Sequence, residues 1–404
     1  MNLNYLILSV TAGEGHNSTA KAIKAELESR STADCAITCS VLDTYKYVSP
    51  ELAKIISDGY LIVAEKAKYA YKIGYSLAEM RKRKGDMSKN LINYVMASDL
   101  AKFINSDNYD VIIFTHPFSG ILLNVMKKRG MISNRTLGIL TDFTFHPYWE
   151  NCTDNDYVVM PDKLLLPQGL RKGFRKDQLL PFGIPINPSF SLHTPKEEAR
   201  EKLGLNTYLP TFLIMGGSMG YGNMGDTVKK IDACGIDRDF QLICVCGSNE
   251  TAKKEVDEIA ETSRHKILVT GFVNYISTIM DASDCIITKP GGLTTSESLA
   301  KGLPMIIVNP IPGQEERNTQ FLMNTGCALS TTRTCPIDEC MYQLLASESR
   351  LRVMRESISE IGKPNSTSDT ADFLIDLAKS PAKAAKIVAD TVGEDGKIYF
   401  DVRG

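Results

Sequence analysis

The chain has 404 residues, with 46 Lys and Arg against 48 Asp and Glu, and this near-balance gives no global drive toward nucleic acid. A 43% share of hydrophobic residues over this length suffices for two ordinary domains with a core in each. The ten cysteines stand scattered in apolar runs rather than in metal-ligand spacing, which fits reduced core thiols. No apolar stretch approaches the roughly 20 residues of a membrane span, and no export signal is visible.

Apolar residues from Tyr5 to Val10 predict the first strand, and Ala20, Ile23 and Leu27 at helical spacing predict a helix beginning near Asn17. Further strands are read at 36–42, 109–115, 136–141 and 157–160, with helices beginning near Pro50, Ser88, Ser119 and Asp162. After "FGIPINPSF" (182–190) the sequence turns polar as far as Asn206, and "LPTFLIMGGSMGYGNM" (209–224) restarts the pattern as strand, glycine turn and helix. Strands near 240–246, 266–270, 284–288 and 304–308 follow, and helical segments near 349–361 and 367–379 close the pattern. Such alternation predicts parallel sheets with crossover helices. The expected fold class is α/β, with two Rossmann-like domains facing a cleft: residues 1–190, residues 191–380, and a tail over 381–404 with no assigned structure.

Ligands of open parallel sheets bind beyond the carboxyl ends of the strands, so the turns there are the first candidates for chemistry. "TAGEGHN" (11–17) places His16 on such a turn, but Glu14 opposes an anion beside it. "MGGSMGYG" (215–222) lies between strand and helix, where backbone N–H groups and a positive helix end can receive a phosphate; a tight packed turn is the other reading. In "TKPGGLTTSESLAKGLPMIIVNPIPGQEERNTQFL" (288–322) a strand ends at Lys289, a glycine turn follows, and Thr294, Thr295, Ser296 and Glu297 open a helix. A carboxylate there can accept from two vicinal hydroxyls, and Gln314 offers both donor and acceptor, which suits a ribose and a sugar.

These stretches, in order with "TDFTFHPYW" (141–149), "GIPINPSF" (183–190), "GFV" (271–273) and "PGQEERN" (312–318), resemble the glycosyltransferase family 28 enzymes that glycosylate diacylglycerol. The bacterial processive diacylglycerol β-glucosyltransferases are the nearer likeness and the monogalactosyldiacylglycerol synthases the more distant one. The resemblance covers residues 3 to 375 and implies the GT-B fold. It places Gly217 and Ser218 at a diphosphate, backbone groups of Phe272 and Val273 at uracil, and Glu297 at ribose hydroxyls. Gly291, Gly292, Thr294, Thr295 and Ser296 then line the phosphate and ribose region, Gln314 and Glu315 read the sugar, and Lys289 steadies departing UDP. On the acceptor side it implies His16, Asp142, His146 and Trp149.

The implied reaction is transfer of glucose from UDP-glucose to diacylglycerol with inversion, His16 or Asp142 serving as base, with no metal and no cofactor. A UDP-galactose donor, a polyprenyl acceptor and a non-catalytic UDP-sugar sensor are the alternatives. Ala12, Gly13, Glu14 and Gly15 replace the triple glycine usual in galactolipid synthases, and "PGGLTTSE" with "PIPGQE" tilts the donor toward UDP-glucose. Between 50 and 80, Ile56, Tyr60, Val63, Ala67, Tyr71, Tyr75 and Ala78 share one helical face. From Glu65 to Lys89 eight basic residues, among them Arg81, Lys82, Arg83 and Lys84, stand against three acidic ones. In an enzyme with a bilayer acceptor, this segment is expected to attach to an anionic membrane surface, peripherally and on the cytosolic face.

Overall fold

The computed structural model describes residues 2–11, 14–48, 91–216 and 224–380. Gly217, Ser218, Tyr60, Tyr71, Arg81, Lys82, Arg83 and Lys84 lie outside the described residues, as does the tail from 381.

Valine, isoleucine and leucine run almost unbroken through the central strands, as strands covered on both faces require. β3 (Val111–Phe114), β7 (Thr211–Met215), β8 (Gln241–Val245) and β10 (Cys285–Thr288) are buried at every residue. They belong to two parallel six-stranded sheets. The first has the order β2-β1-β3-β4-β5-β6, built from β1 (Asn2–Ser9), β2 (Ala36–Asp43), β3, β4 (Arg135–Ile139), β5 (Tyr157–Val159) and β6 (Leu179–Leu180). The second has the order β12-β11-β10-β7-β8-β9 and adds β9 (Lys266–Thr270), β11 (Met305–Ile307) and β12 (Ala328–Ser330). β2 is an edge strand, and its pattern alternates exposed and buried residues over its first half.

Strand order reverses between β1 and β3 in the first sheet and between β7 and β10 in the second. Crevices open at such switch points, beyond the carboxyl ends of the strands. The turns after these four strands are those the sequence singles out at His16, at 215–222 and at 288–292, together with the turn at His116. The α/β class and the two Rossmann-like sheets are therefore as expected, while β6 and β12, two and three residues long, escape a reading by periodicity.

The chain crosses between the sheets twice. Residues 183–190 carry it to the second sheet, and the turn after the helix Glu348–Ile361 carries it back, because the helix Ser366–Lys379 buries Ala371, Leu374 and Leu377 in one cluster with Leu3, Tyr5 and Ile37 of the first sheet. The Tyr5 hydroxyl donates to Leu374 O at 3.2 Å. The last helix thus lies by sequence within 191–380 and by packing on the first sheet. The two crossings are tied together: Ser366 Oγ donates to Ile184 O at 2.9 Å, and Thr367 Oγ1 donates to Ile186 O. Gly183, at φ +97°, sits so close to this junction that a Cβ would lie 2.5 Å from Lys363 Cβ.

Where the first crossing enters the second domain, Lys301 Nζ is fully buried and holds both Asp281 oxygens at 2.9 Å while also donating to Leu192 O. Asp281 in turn accepts the Thr194 N–H at 3.0 Å. Removing one partner of such a pair leaves a buried charge without compensation. Lys301→Met is therefore expected to destabilise the protein by about 3–5 kcal/mol in chemical denaturation. Asp281→Leu added to it should restore much of the loss, whereas a double variant no better than the single one would assign the cost to Lys301 packing.

Candidate active site

The helix Glu14–Ser29 starts on the turn after β1 and sets His16 in its first turn. The His16 ring is half-buried, with Nδ1 2.7 Å from Thr115 O at the end of β3. A carbonyl oxygen only accepts, so Nδ1 carries the proton, which the Thr141 hydroxyl at 3.3 Å shares. Nε2 is left with its lone pair and has no partner among the described residues. Burial lowers the imidazole to about 4, against the opposing Thr115 bond, so the ring is neutral at ordinary pH.

A second imidazole meets it. His116 caps the helix Pro117–Lys128, its Nδ1 accepting the Phe118 N–H at 3.1 Å, and its ring lies edge to face with His16 at 4.8 Å between centroids. Burial, then His16 and His146, push its pKa well below the usual value. His146 repeats the geometry at the next turn: it precedes Pro147, and its Nδ1 accepts the Tyr148 N–H at 3.3 Å. Sequence reasoning passed over His116, although "THPF" and "FHPY" carry the same His-Pro-aromatic signature with proline at the first helical position.

Trp149 does not face an acceptor. It is 2% exposed and packs among Phe114, Phe145 and Phe174 in the first domain's core, because the short helix Pro147–Asn151 turns its indole inward.

Asp142 sits where the two domains touch. Its Oδ1 accepts from Asn318 Nδ2 at 2.9 Å and its Oδ2 accepts from Gln314 Nε2. Asn318, fully buried in the helix Gln314–Asn324, also donates to Pro290 O at 2.9 Å and accepts the Phe143 N–H at 2.9 Å. Burial raises Asp142 to about 7; the two amide donors oppose the shift and Glu315 adds to it. Alongside, a Cβ built on Gly292 would stand 1.8 Å from Thr141 O, so only glycine permits this contact. Asn318 is the second functional residue that the sequence did not single out.

On the second sheet, Lys289 and Gly291 follow β10, and the helix Gly292–Ala300 begins without a side-chain cap, leaving its first N–H groups toward the crevice. Thr295 Oγ1 is buried with no hydrogen-bond partner among the described residues, and Thr294 is half-buried. The Ser296 hydroxyl, expected to line the ligand, is buried and donates to Gly292 O at 2.9 Å within its own helix. Glu297 has no side-chain partner among the described residues, and burial alone lifts it to about 8. Phe272 and Val273 follow β9, the first exposed and the second packed on the core.

Gln314 and Glu315, expected to read the sugar, both hold partners within the chain. Gln314 is engaged by Asp142, and Glu315 Oε2 accepts the Ile311 N–H at 2.6 Å, closing the loop before its own helix. Among the described residues no three His, Cys, Asp or Glu side chains gather as a metal site needs.

Residues 16–186 match the family of monogalactosyldiacylglycerol (MGDG) synthases, and residues 211–360 match the glycosyltransferase family 28 C-terminal domain. The C-terminal half is thus a glycosyltransferase family 28 domain. The chain is 28% identical over 380 residues to the processive diacylglycerol beta-glucosyltransferase of Bacillus pumilus (strain SAFR-032), covering 93% of this chain and 96% of that one. The enzyme of the same name from Bacillus subtilis (strain 168) is 28% identical over 371 residues, covering 91% and 94%. The crystal structure of Acinetobacter baumannii MurG superposes with a TM-score of 0.62 at 12% identity, over 93% of this chain and all of that one, a likeness of fold. The fold is thus the two-domain GT-B architecture, with the turn after β4 of the first sheet set against the β7/β10 switch point of the second through Thr141 and Gly292.

The raised value of Glu297 has a sign that can be checked. Because the folded protein favours the protonated carboxyl, this group lowers stability as pH rises from the ordinary 4.5 toward about 8. Glu297→Gln removes that loss, so its thermal midpoint is expected to exceed that of the parent by a margin that grows between pH 5 and pH 8.5. A margin independent of pH would mean that Glu297 titrates normally in the fold.

Proposed function

We propose that this protein moves glucose from UDP-glucose to the hydroxyl of 1,2-diacylglycerol, and onward to the glucosyl product, in a single inverting displacement. The observation that carries the reading is the pairing of a neutral imidazole with a free Nε2 at one switch point and a carboxylate without a partner among the described residues at the other. The activity for which the Bacillus relatives are named supports the acceptor and the sugar.

A primary hydroxyl is a poor nucleophile until a base removes its proton in the transition state. His16 takes that part: its Nδ1–H is fixed on Thr115 O, which aims the Nε2 lone pair away from the backbone. Asp142 is the weaker choice of the two, since both of its oxygens accept from side-chain amides. As the oxygen attacks the anomeric carbon, the bond to UDP breaks on the opposite face, turning an α-linked donor into a β-glycoside.

Charge growing on the diphosphate meets the uncapped N–H groups of the helix Gly292–Ala300 and the Lys289 ammonium. The same groups make a divalent ion unnecessary in this mechanism. Glu297 accepts from the ribose hydroxyls, Phe272 and Val273 hold the uracil through backbone groups, and Gln314 leaves Asp142 to reach the sugar beside Glu315.

Among the described residues no helix is long and apolar enough to cross a membrane. The basic segment between Glu65 and Lys89, outside the described residues, brings the protein to the cytosolic membrane face by charge.

The deciding assay supplies diacylglycerol in anionic vesicles with UDP-glucose or UDP-galactose in separate tubes and resolves the lipid products by mass and anomeric form. A β-glucosyl series supports the reading, and a β-galactosyl product moves the donor to UDP-galactose. His16→Ala should lower turnover about 10²–10⁴-fold with UDP binding retained. With His16 held at about 4 in the free enzyme, the acidic limb of kcat/KM for UDP-glucose should fall nearer pH 4 than pH 6.5. Flotation should show binding to anionic vesicles that is lost in high salt, and equal binding to zwitterionic vesicles would remove the electrostatic attachment.

A further inference from the structure

His116 has no part in the reaction as described so far, yet its ring is fixed as firmly as that of His16 and with the opposite polarity. The Phe118 N–H donates to His116 Nδ1 at 3.1 Å, so that nitrogen holds a lone pair and the proton of the neutral ring is on Nε2. His16 is the reverse, with its proton on Nδ1 toward Thr115 O and its lone pair on Nε2. The two rings stand edge to face at 4.8 Å between centroids without a hydrogen bond to each other. Each Nε2 lacks a partner among the described residues, and both rings are half-buried rather than sealed. Side by side at the β1/β3 switch point there is thus one acceptor and one donor.

We infer that His116 is a second acceptor-binding residue, whose Nε2–H holds the oxygen on the carbon next to the attacking hydroxyl while His16 Nε2 receives the hydroxyl itself. The inference rests on the proposed diacylglycerol reading and names the feature of the acceptor that the site reads. That feature is an alcohol with an oxygen substituent on the neighbouring carbon. In 1,2-diacylglycerol it is the ester oxygen at the central carbon, and in a glucosylated acceptor it is the ring oxygen next to the primary hydroxyl. A plain long-chain alcohol lacks it.

His146, built on the same His-Pro turn, also has its Nδ1 occupied by a backbone N–H, and its proximity lowers the basicity of His116. The Tyr45 ring stands edge to face with His116 at 5.8 Å between centroids. Burial first, and then the charge that His16 or His146 would carry if protonated, keeps His116 neutral, which preserves a single N–H of defined direction. A charged imidazolium would lose the Phe118 bond, because a protonated Nδ1 accepts nothing.

The test compares dioleoylglycerol with oleyl alcohol as acceptors in the same anionic vesicles, for the parent protein and for His116→Asn. Asparagine is a strong helix cap and keeps the Phe118 interaction, while it ends short of the Nε2 position. The ratio of kcat/KM for dioleoylglycerol over oleyl alcohol is expected to fall about 10-fold in the variant, with the KM for UDP-glucose and the thermal midpoint unchanged. An unchanged ratio in an active variant overturns the inference, including the case in which both acceptors lose rate equally.

A second readout is independent of turnover. Nitrogen-15 NMR of the histidine rings in the free protein should show the proton on Nδ1 of His16 and on Nε2 of His116 near pH 7, and the reverse tautomer at His116 overturns the inference. A parent protein that glycosylates neither acceptor, despite those tautomers, overturns the diacylglycerol reading and this inference with it. An active parent with the wrong ratio in the variant removes the His116 role alone.

Discussion

The contact on which the rest of the site depends is the one Asp142 makes across the cleft. A carboxylate at a domain boundary loses water on both sides, and two amide donors, from Gln314 and Asn318, stand in for what is lost. They do so incompletely, since burial still raises Asp142 to about 7. The contact is therefore firm in geometry and poised in charge. Protonation near neutrality would turn one acceptor oxygen into a donor facing an amide N–H. Asn318 carries the architecture in either case, since it also grips Pro290 O and the Phe143 N–H. Gly292 then lets the Thr141 carbonyl come down onto the start of the helix that faces the donor.

This contact sets the turn after β4 against the β7/β10 switch point, and the chemistry on each side is arranged toward it. On the first sheet, burial has kept two imidazoles neutral and backbone groups have chosen their tautomers. A base of pKa about 4 is weak on its own account, and the substrate supplies the correction. A bound diphosphate brings negative charge into a cleft of low dielectric, and negative charge near an imidazole raises its affinity for a proton. His16 is thereby neutral when the acceptor arrives and more basic once the donor is in place.

The fold was legible because parallel strands buried on both faces leave long β-branched runs, and because turns at strand ends concentrate glycine. The positions of His16, Asp142, Glu297 and Gln314 could be read for the same reason, since each stands in a turn or first helical turn that periodicity brackets. Their partners could not be read. Gln314 stands 172 residues from Asp142, and nothing local tells that its amide serves the other domain before it serves a sugar. Trp149 belongs to the core because a five-residue helix rotates it inward, a choice set by packing against Phe114, Phe145 and Phe174 and not by its own neighbours in sequence. His116 was readable and went unread: its signature is the same as that of His146, one strand earlier.

The return of the last helix to the first sheet helps the cleft keep its register. Two separate crossings, at 183–190 and at 362–366, connect the domains, and they are bonded to each other through Ser366, Thr367 and the close approach of Gly183 to Lys363. A single flexible linker would leave the domains free to twist as well as to open. Two linkers bonded side by side restrict the motion toward a single hinge axis, which opens the cleft without shearing it. The Thr141–Gly292 contact lies between those paired linkers and the site, and a fixed register there is what an imidazole on one domain needs to meet an anomeric carbon held by the other.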